Sequence, residues 1–148
     1  MQASRLALLL LVALVPGAAL AQSAAAPPDL DCSEGFDGLR SMAASLPDAR
    51  AGDDGSSDIV VLEAPDTWKV EYSFTRPGQA AHPSVTLRTF LKQVTGVWTA
   101  QSKGCGYGDQ RQFAALMADM KERDSDLTNA SRAEVERKKQ DASPLGTP

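Results

Sequence analysis

The spacing of apolar residues changes along the chain, and each change marks a different kind of element. After Asp31 the apolar positions recur at helical spacing: Phe36, Leu39, Met42, Ala43 and Leu46. Asp31 stands three residues before Glu34, which is the spacing of a capping box. The pattern predicts a first helix that ends at about Leu46, because Pro47 stops it and the following DARAGDDGSSD is polar and is predicted to be a loop.

From residue 58 the period becomes two, which is typical of half-buried strands. A short apolar run, IVVLE, is followed by TWKVEYSFT, in which every second residue is apolar. The alternation resumes from Val85 to Leu91 and continues from Val94 to Ser102 past a bend at Gly96. These segments predict an antiparallel sheet of three or four strands.

A second helix is predicted after the sheet. Asp109 and Gln112 have capping-box spacing, and the apolar stripe that follows is Phe113, Leu116, Met117 and Met120. We therefore predict a single small α+β domain over residues 32–123, with one helix before the sheet and one helix after it. Residues 124–148 are rich in charge, and we expect this C-terminal segment to be partly helical or disordered.

The N-terminus has the pattern of an export signal. One basic residue precedes ten apolar residues, 6–15, and small residues stand at positions 19 and 21. Ten residues are too few to cross a bilayer, for which about 20 are needed. We predict a signal peptide over residues 1–21 and a flexible lead-in over 22–31. The mature chain is then periplasmic or extracellular, without a membrane span.

The composition argues against one class of partner. The full chain has 15 basic and 19 acidic residues, and removal of the leader takes away one arginine, which leaves 14 and 19, a net charge of −5. Only 5% of the residues are aromatic. An acidic chain with few aromatic side chains is unsuited to nucleic acid, so we expect no such partner.

The two cysteines are expected to form a disulfide. Cys32 begins the apolar stripe of the first helix, and Cys105 ends the last strand within SKGCGYGDQRQF. An even cysteine count in an exported chain favours a bridge. A reactive thiol is the alternative, but acidic residues flank Cys32 and no C-x-x-C pair is present. The glycines around Cys105 are interpreted as giving the backbone freedom to pass from strand to helix.

Few other residues suggest chemistry. His82 is the only histidine, so a catalytic histidine device or a zinc site would depend on it. The acidic run 53–58 lacks the ligand spacing of a calcium loop. Glu63 and Glu71 could meet across a hairpin, although glutamates that alternate with apolar residues usually face water. We name no catalytic residue, metal ligand or cofactor, and we favour a protein that is not an enzyme.

Four residues are candidates for contact with a partner. Gln79 and His82 lie in the predicted loop RPGQAAHPS, whose prolines stiffen both ends. Trp98 shares a strand face with small residues, where its indole would stay partly exposed unless it packs into the core. Tyr107 adjoins the second cysteine.

The first function hypothesis is an exported, non-enzymatic binding module, such as an inhibitor, adaptor or envelope-associated protein. Its partner would be another protein of the envelope or medium. The alternative is a carrier of a small ligand, with a pocket between sheet and helices near Trp98 and Tyr107. The least favoured hypothesis is an exported hydrolase that uses a glutamate or His82.

Overall fold

The computed structural model describes residues 25–143 of the chain. The predicted signal peptide and the last five residues lie outside the described residues, as do residues 22–24 of the predicted lead-in.

The described chain forms one antiparallel sheet with a helix before it and a helix after it, which confirms the predicted α+β architecture. A 3₁₀ turn, Cys32–Glu34, leads into helix α1, Gly35–Ser45. The strands are β1 (Arg50–Asp53), β2 (Ser57–Ala64), β3 (Trp68–Thr75), β4 (Ser84–Lys92) and β5 (Trp98–Gly106). Helix α2 spans Gln110–Asp141. The strands pair in chain order, so the sheet is a meander.

The sheet has five strands, so the predicted count of three to four is wrong. One additional strand is β1, which lies in the segment interpreted as a polar loop. All four of its residues are exposed, and its backbone pairs with Asp58–Val61 of β2. The second reason is a tight hairpin turn between β4 and β5, where Gly96 has a φ of 85° and donates its N–H to the Gln93 carbonyl. This turn makes two strands of a segment interpreted as one pattern with a bend.

Both predicted capping aspartates are used, but neither forms a complete capping box. Asp31 accepts from the N–H and the hydroxyl of Ser33, and so caps the 3₁₀ turn before α1. Asp109 accepts from the N–H groups of Arg111 and Gln112 and caps α2. The Gln112 side chain accepts from the Ala81 N–H instead of returning to Asp109. The second helix is thereby tied to the β3–β4 loop.

The main core lies between α1 and one face of the sheet. Leu39 and Ala43 of α1 are fully buried there, and Phe36 meets Phe74 edge to face, with 5.9 Å between ring centroids. The sheet residues of this core are Leu62, Val70, Tyr72, Phe74, Val85, Leu87 and Cys105. The strand alternation predicted most of this set, because the apolar residues that alternate along β3 and β4 belong to this core.

Helix α2 packs against β5 on the opposite face and along its outer edge. The Trp98 N–H donates to the Ser131 hydroxyl at 2.8 Å, and the Ala100 N–H donates to the Thr128 hydroxyl at 3.1 Å. Both N–H groups point away from β4, so they belong to the edge of the sheet. Two hydroxyls of α2 therefore satisfy two N–H groups of an edge that would otherwise be open to pairing.

Gly104 and Gly106, the two glycines beside Cys105, make room for α2, which differs from the predicted role. Gly104, Gly106 and Gly108 do not have positive φ angles. A Cβ at Gly104 would lie 2.6 Å from the Met117 sulfur, and one at Gly106 would lie 2.5 Å from Cγ of Phe113. The sequence therefore needs glycine here for close approach of the helix rather than for backbone freedom.

Gly106→Ala is expected to lower the free energy of unfolding by about 1–3 kcal/mol, because the new methyl group would overlap the Phe113 ring. Gly52→Ala in β1 is the matched control, since its Cβ would meet Ile59 at 3.6 Å, an ordinary contact. Urea unfolding of both variants measures the difference. Equal stability of the two variants would show that Phe113 is not seated on Gly106.

Candidate functional site

The predicted disulfide is present, and it uses both cysteines of the chain. Cys32 and Cys105 are bonded, with their Cα atoms 5.5 Å apart. Cys105 points into the main core and is only 3% exposed, while Cys32 lies in the 3₁₀ turn before α1. The bridge fixes the start of α1 to the end of β5. Neither sulfur is a free thiol, so neither serves as a nucleophile or a thiolate ligand in this state.

The four candidate contact residues do not form one site. Gln79, His82 and Tyr107 lie where the β3–β4 loop meets the β5–α2 connection, since the Tyr107 N–H donates to the Pro83 carbonyl. Trp98 begins β5, and a strand of this length puts it about 26 Å from the other end. The structure therefore separates Trp98 from the other three residues, which lie at the opposite end of the sheet.

The β3–β4 loop is held firmly in place. Gly78 has a φ of 85° and the Gln79 N–H donates to the Arg76 carbonyl, as a type II turn requires. Ala81 is only 2% exposed. The His82 Nδ1 lies 2.7 Å from the Thr75 carbonyl oxygen, so this nitrogen carries the proton in that bond. His82 therefore acts as a packing residue, and Gln79 is the exposed candidate of this loop.

The hydroxyl of Tyr107 forms a hydrogen bond within the protein. It donates to the Cys32 carbonyl at 2.9 Å, while the ring is 37% exposed. Burial, with a smaller effect from the nearby Asp31, raises the pKa of Tyr107. The phenol therefore stays protonated and braces the chain around the disulfide, and part of its ring faces solvent.

The acidic side chains that were candidates for metal binding or catalysis form ion pairs with basic side chains. Arg76 contacts both Asp53 and Asp58, at 2.6 and 2.8 Å, and Arg40 contacts Asp58 at 2.7 Å. The hydrogen bond from Arg76 lowers the pKa of Asp53. Glu63 and Glu71 are paired with Arg50 and Lys69 rather than with each other. Within residues 25–143, no group of three or more histidine, cysteine or acidic side chains is arranged to hold a metal ion.

The Trp98 end of the sheet carries a wide cleft with a volume of about 830 Å³. Its two walls are the β2–β3 turn and the middle of α2, and it is open to solvent. We call it the Trp98 cleft, and its apolar side chains are Ala64, Pro65, Trp68, Phe90, Trp98, Leu127 and Ala130. Trp98 and Leu127 are half-buried, so part of each side chain is available to a bound molecule.

Charged side chains surround the apolar part of the Trp98 cleft. Three carboxylates and one ammonium group belong to its lining: Glu63, Asp66, Glu134 and Lys69. Lys92 lies beside them, 2.9 Å from Asp66 and 5.9 Å from the centroid of the Trp98 ring. The lining itself is therefore acidic, with lysine side chains at its border.

The sequence pattern points to Trp98 but not to the residues of α2 that complete the cleft. Leu127 and Ala130 lie in the segment that was set apart because of its charge. Their signal is the continuation of helical spacing from Met120 to Leu127, seven residues later. The signal is weak because the intervening inward position is Asp124, a charged residue that is nevertheless buried.

None of the helices in the described part of the chain combines the length and the apolar character that crossing a membrane requires. The disulfide is consistent with an exported protein. Comparison with protein-family models, with curated proteins and with solved structures finds no match for this chain.

Proposed function

We propose that the protein is an exported, non-enzymatic binding module that receives an apolar side chain of a partner protein in the Trp98 cleft. The observation that carries this proposal is an open surface cleft with aromatic and aliphatic walls beside a filled core. Tyr72, Phe74 and Leu87 of the main core are at most 1% exposed, so the accessible apolar surface is on the outside. Aromatic and aliphatic pockets of this kind are where binding energy concentrates in protein interfaces.

The charge of the cleft specifies the partner further. Three carboxylates against one lysine favour a segment in which lysine or arginine flanks the apolar residue. Each carboxylate has a basic neighbour in its own chain, as Asp66 has Lys92. These pairs are solvent-exposed, and exposed ion pairs contribute only about 0–1 kcal/mol. Exchanging them for charges of a partner therefore costs little.

A carrier of a small ligand is the second candidate. The observation in its favour is the volume of the cleft, which falls within the range of about 300–1,000 Å³ usual for ligand pockets. Such pockets enclose most of their ligand, whereas the Trp98 cleft is open along one side. The proposed binding module and the carrier use the same walls, so the experiment must tell the two occupants apart.

Ala130→Trp tests the binding module by filling the cleft from an exposed position of α2. Peptides selected by display on the wild-type mature protein are expected to carry an apolar residue flanked by lysine or arginine, and to lose at least about tenfold in affinity for the variant. Ala118→Trp, on the same helix but outside the cleft, is the control and should bind like wild type.

Two results would contradict the binding module. One is selection of peptides that bind both tryptophan variants equally, which would place recognition elsewhere. The other is a small molecule that accompanies the protein in native mass spectrometry and is lost only from Ala130→Trp, which would establish the carrier. Equal unfolding midpoints of the two variants show that neither result comes from loss of the fold.

A further inference from the structure

The two edges of the sheet differ in how they are protected. Helix α2 packs along the β5 edge, and the hydroxyls of Thr128 and Ser131 accept from two of its N–H groups. Strand β1 forms the other edge, all four of its residues are exposed, and within residues 25–143 its one substantial neighbour among the elements is β2. An exposed edge presents backbone N–H and C=O groups that another strand can pair with.

We propose that β1 pairs antiparallel with β1 of a second copy of this chain, which joins two five-stranded sheets into one. The pairing is isologous, since the same edge serves both copies around a two-fold axis. The proposal does not depend on the Trp98 cleft, which lies between the β2–β3 turn and α2. It rests on the free edge and on the charges along it.

The charges select one register for this pairing. Along an edge strand, every second residue points its N–H and C=O groups outward, and in an antiparallel pair these residues must lie opposite each other. For two identical strands, the two-fold axis must therefore pass through a residue that faces its own copy. With Gly52 at the axis, Arg50 stands opposite Asp54 of the other copy, the residue that directly follows β1, and symmetry repeats this pair. With Ala51 at the axis, Arg50 faces Gly52 and gains no partner. Opposite charges directly across a strand pair are stabilising, so the first register is favoured.

The surroundings of these residues suit the Gly52 register. Asp53 is already joined to Arg76, whereas Asp54 has no lysine or arginine partner among residues 25–143. Its carboxylate accepts only from Ser56 and Ser57 within the following turn. Arg50 contacts Glu63 at an exposed position, from which its guanidinium can move to a new partner.

Gly52→Cys tests the register directly. In the proposed pair the two Cys side chains are opposite each other, with Cα atoms about 4.5–5.5 Å apart, a distance that a disulfide spans. The variant is expected to fold, because a Cβ at Gly52 would meet Ile59 at an ordinary 3.6 Å. Mild oxidation should convert most of it into a covalent dimer, seen by intact mass, with Cys32–Cys105 retained in peptide mapping.

Ala51→Cys is the matched control, because residue 51 lies on the other face of the strand and off the axis. Under the same oxidation most of it should form no intermolecular disulfide. Equal cross-linking of the two variants would show random collision, and preferential cross-linking of Ala51→Cys would show the wrong register. No covalent dimer from either variant would mean that the edge does not self-pair, and each of these results overturns the proposal.

Charge-reversal variants test the proposed register independently in solution. Arg50→Glu should weaken dimerisation in sedimentation velocity at least about tenfold, because it sets two carboxylates opposite each other in each of two pairs. Asp54→Lys should weaken it similarly by opposing two cations. An equimolar mixture of the variants should recover the dimer, since every pair in the mixed dimer has opposite charges. A wild-type chain that stays monomeric up to about 1 mM contradicts the proposal.

Discussion

Replacing Cys32 and Cys105 together by alanine will lower the free energy of unfolding by about 4 kcal/mol. The two residues are 73 positions apart, so the disulfide closes most of the folded chain into a loop and restricts the unfolded state strongly. The effect is large for a domain whose total stability is expected to be about 5–15 kcal/mol. Urea unfolding of the oxidised wild type and the double variant measures it.

The reduced wild type is the control for this prediction, because reduction opens the same loop without changing the sequence. Its loss of stability should match that of the double variant within about 1 kcal/mol. The alanine variant should also retain the secondary structure of the oxidised protein when measured without denaturant. A loss below about 1 kcal/mol in both samples would mean that the bridge adds little to the contacts between α1 and the sheet.

The sequence predicted those elements that have one buried and one exposed side. Val70, Tyr72 and Phe74 are buried on one face of β3 while the residues between them are more exposed, and this difference is what the alternating pattern records. The sequence of strand β1 has no such alternation. Its residues are exposed on both faces, and backbone pairing with β2 alone makes it a strand. An edge strand of this kind leaves a composition that resembles a polar loop.

The disulfide could be predicted because both of its partners carry independent signals, namely the stripe of α1 and the end of a strand. Only the sheet side of the Trp98 cleft could be predicted, and the side formed by α2 could not. Trp98 stands in an alternating strand, but Leu127 follows a helical turn whose inward positions are polar. Asp124 pairs with a largely buried arginine, and Thr128 and Ser131 accept from two edge N–H groups, so a search for apolar spacing ends too early.

The buried ion pair between β4 and α2 explains why a charged stretch of helix packs on the sheet. The Arg88 Nε donates to the Asp124 carboxylate at 2.7 Å, and the two side chains are only 18% and 8% exposed. The guanidinium also lies 5.0 Å from the centroid of the Phe90 ring. Burying both charges is costly, and the cost is offset only while each charge has its partner.

Asp124→Ala is therefore expected to lower the free energy of unfolding by about 3 kcal/mol, because it leaves the Arg88 guanidinium largely buried without a counter-ion. The estimate is at the low end of the range for such pairs, since water still reaches part of Arg88. Asp126→Ala, at an exposed position two residues further along the helix, is the control and should change stability by less than about 0.5 kcal/mol.

The double variant Arg88→Met, Asp124→Leu decides between loss of a charge partner and loss of packing. Removing both charges abolishes the desolvation cost, and apolar side chains of similar length fill the space, so stability should return to within about 1 kcal/mol of wild type or exceed it. Urea unfolding of the double variant and of the single variants Arg88→Met and Asp124→Leu completes the cycle. If the double variant is as unstable as Asp124→Ala alone, the carboxylate matters for the shape of the helix–sheet contact and not for the charge of Arg88. Recovery of stability would instead show that α2 is held to β4 at this point by charge compensation, in the same part of the helix whose next turn forms a wall of the Trp98 cleft.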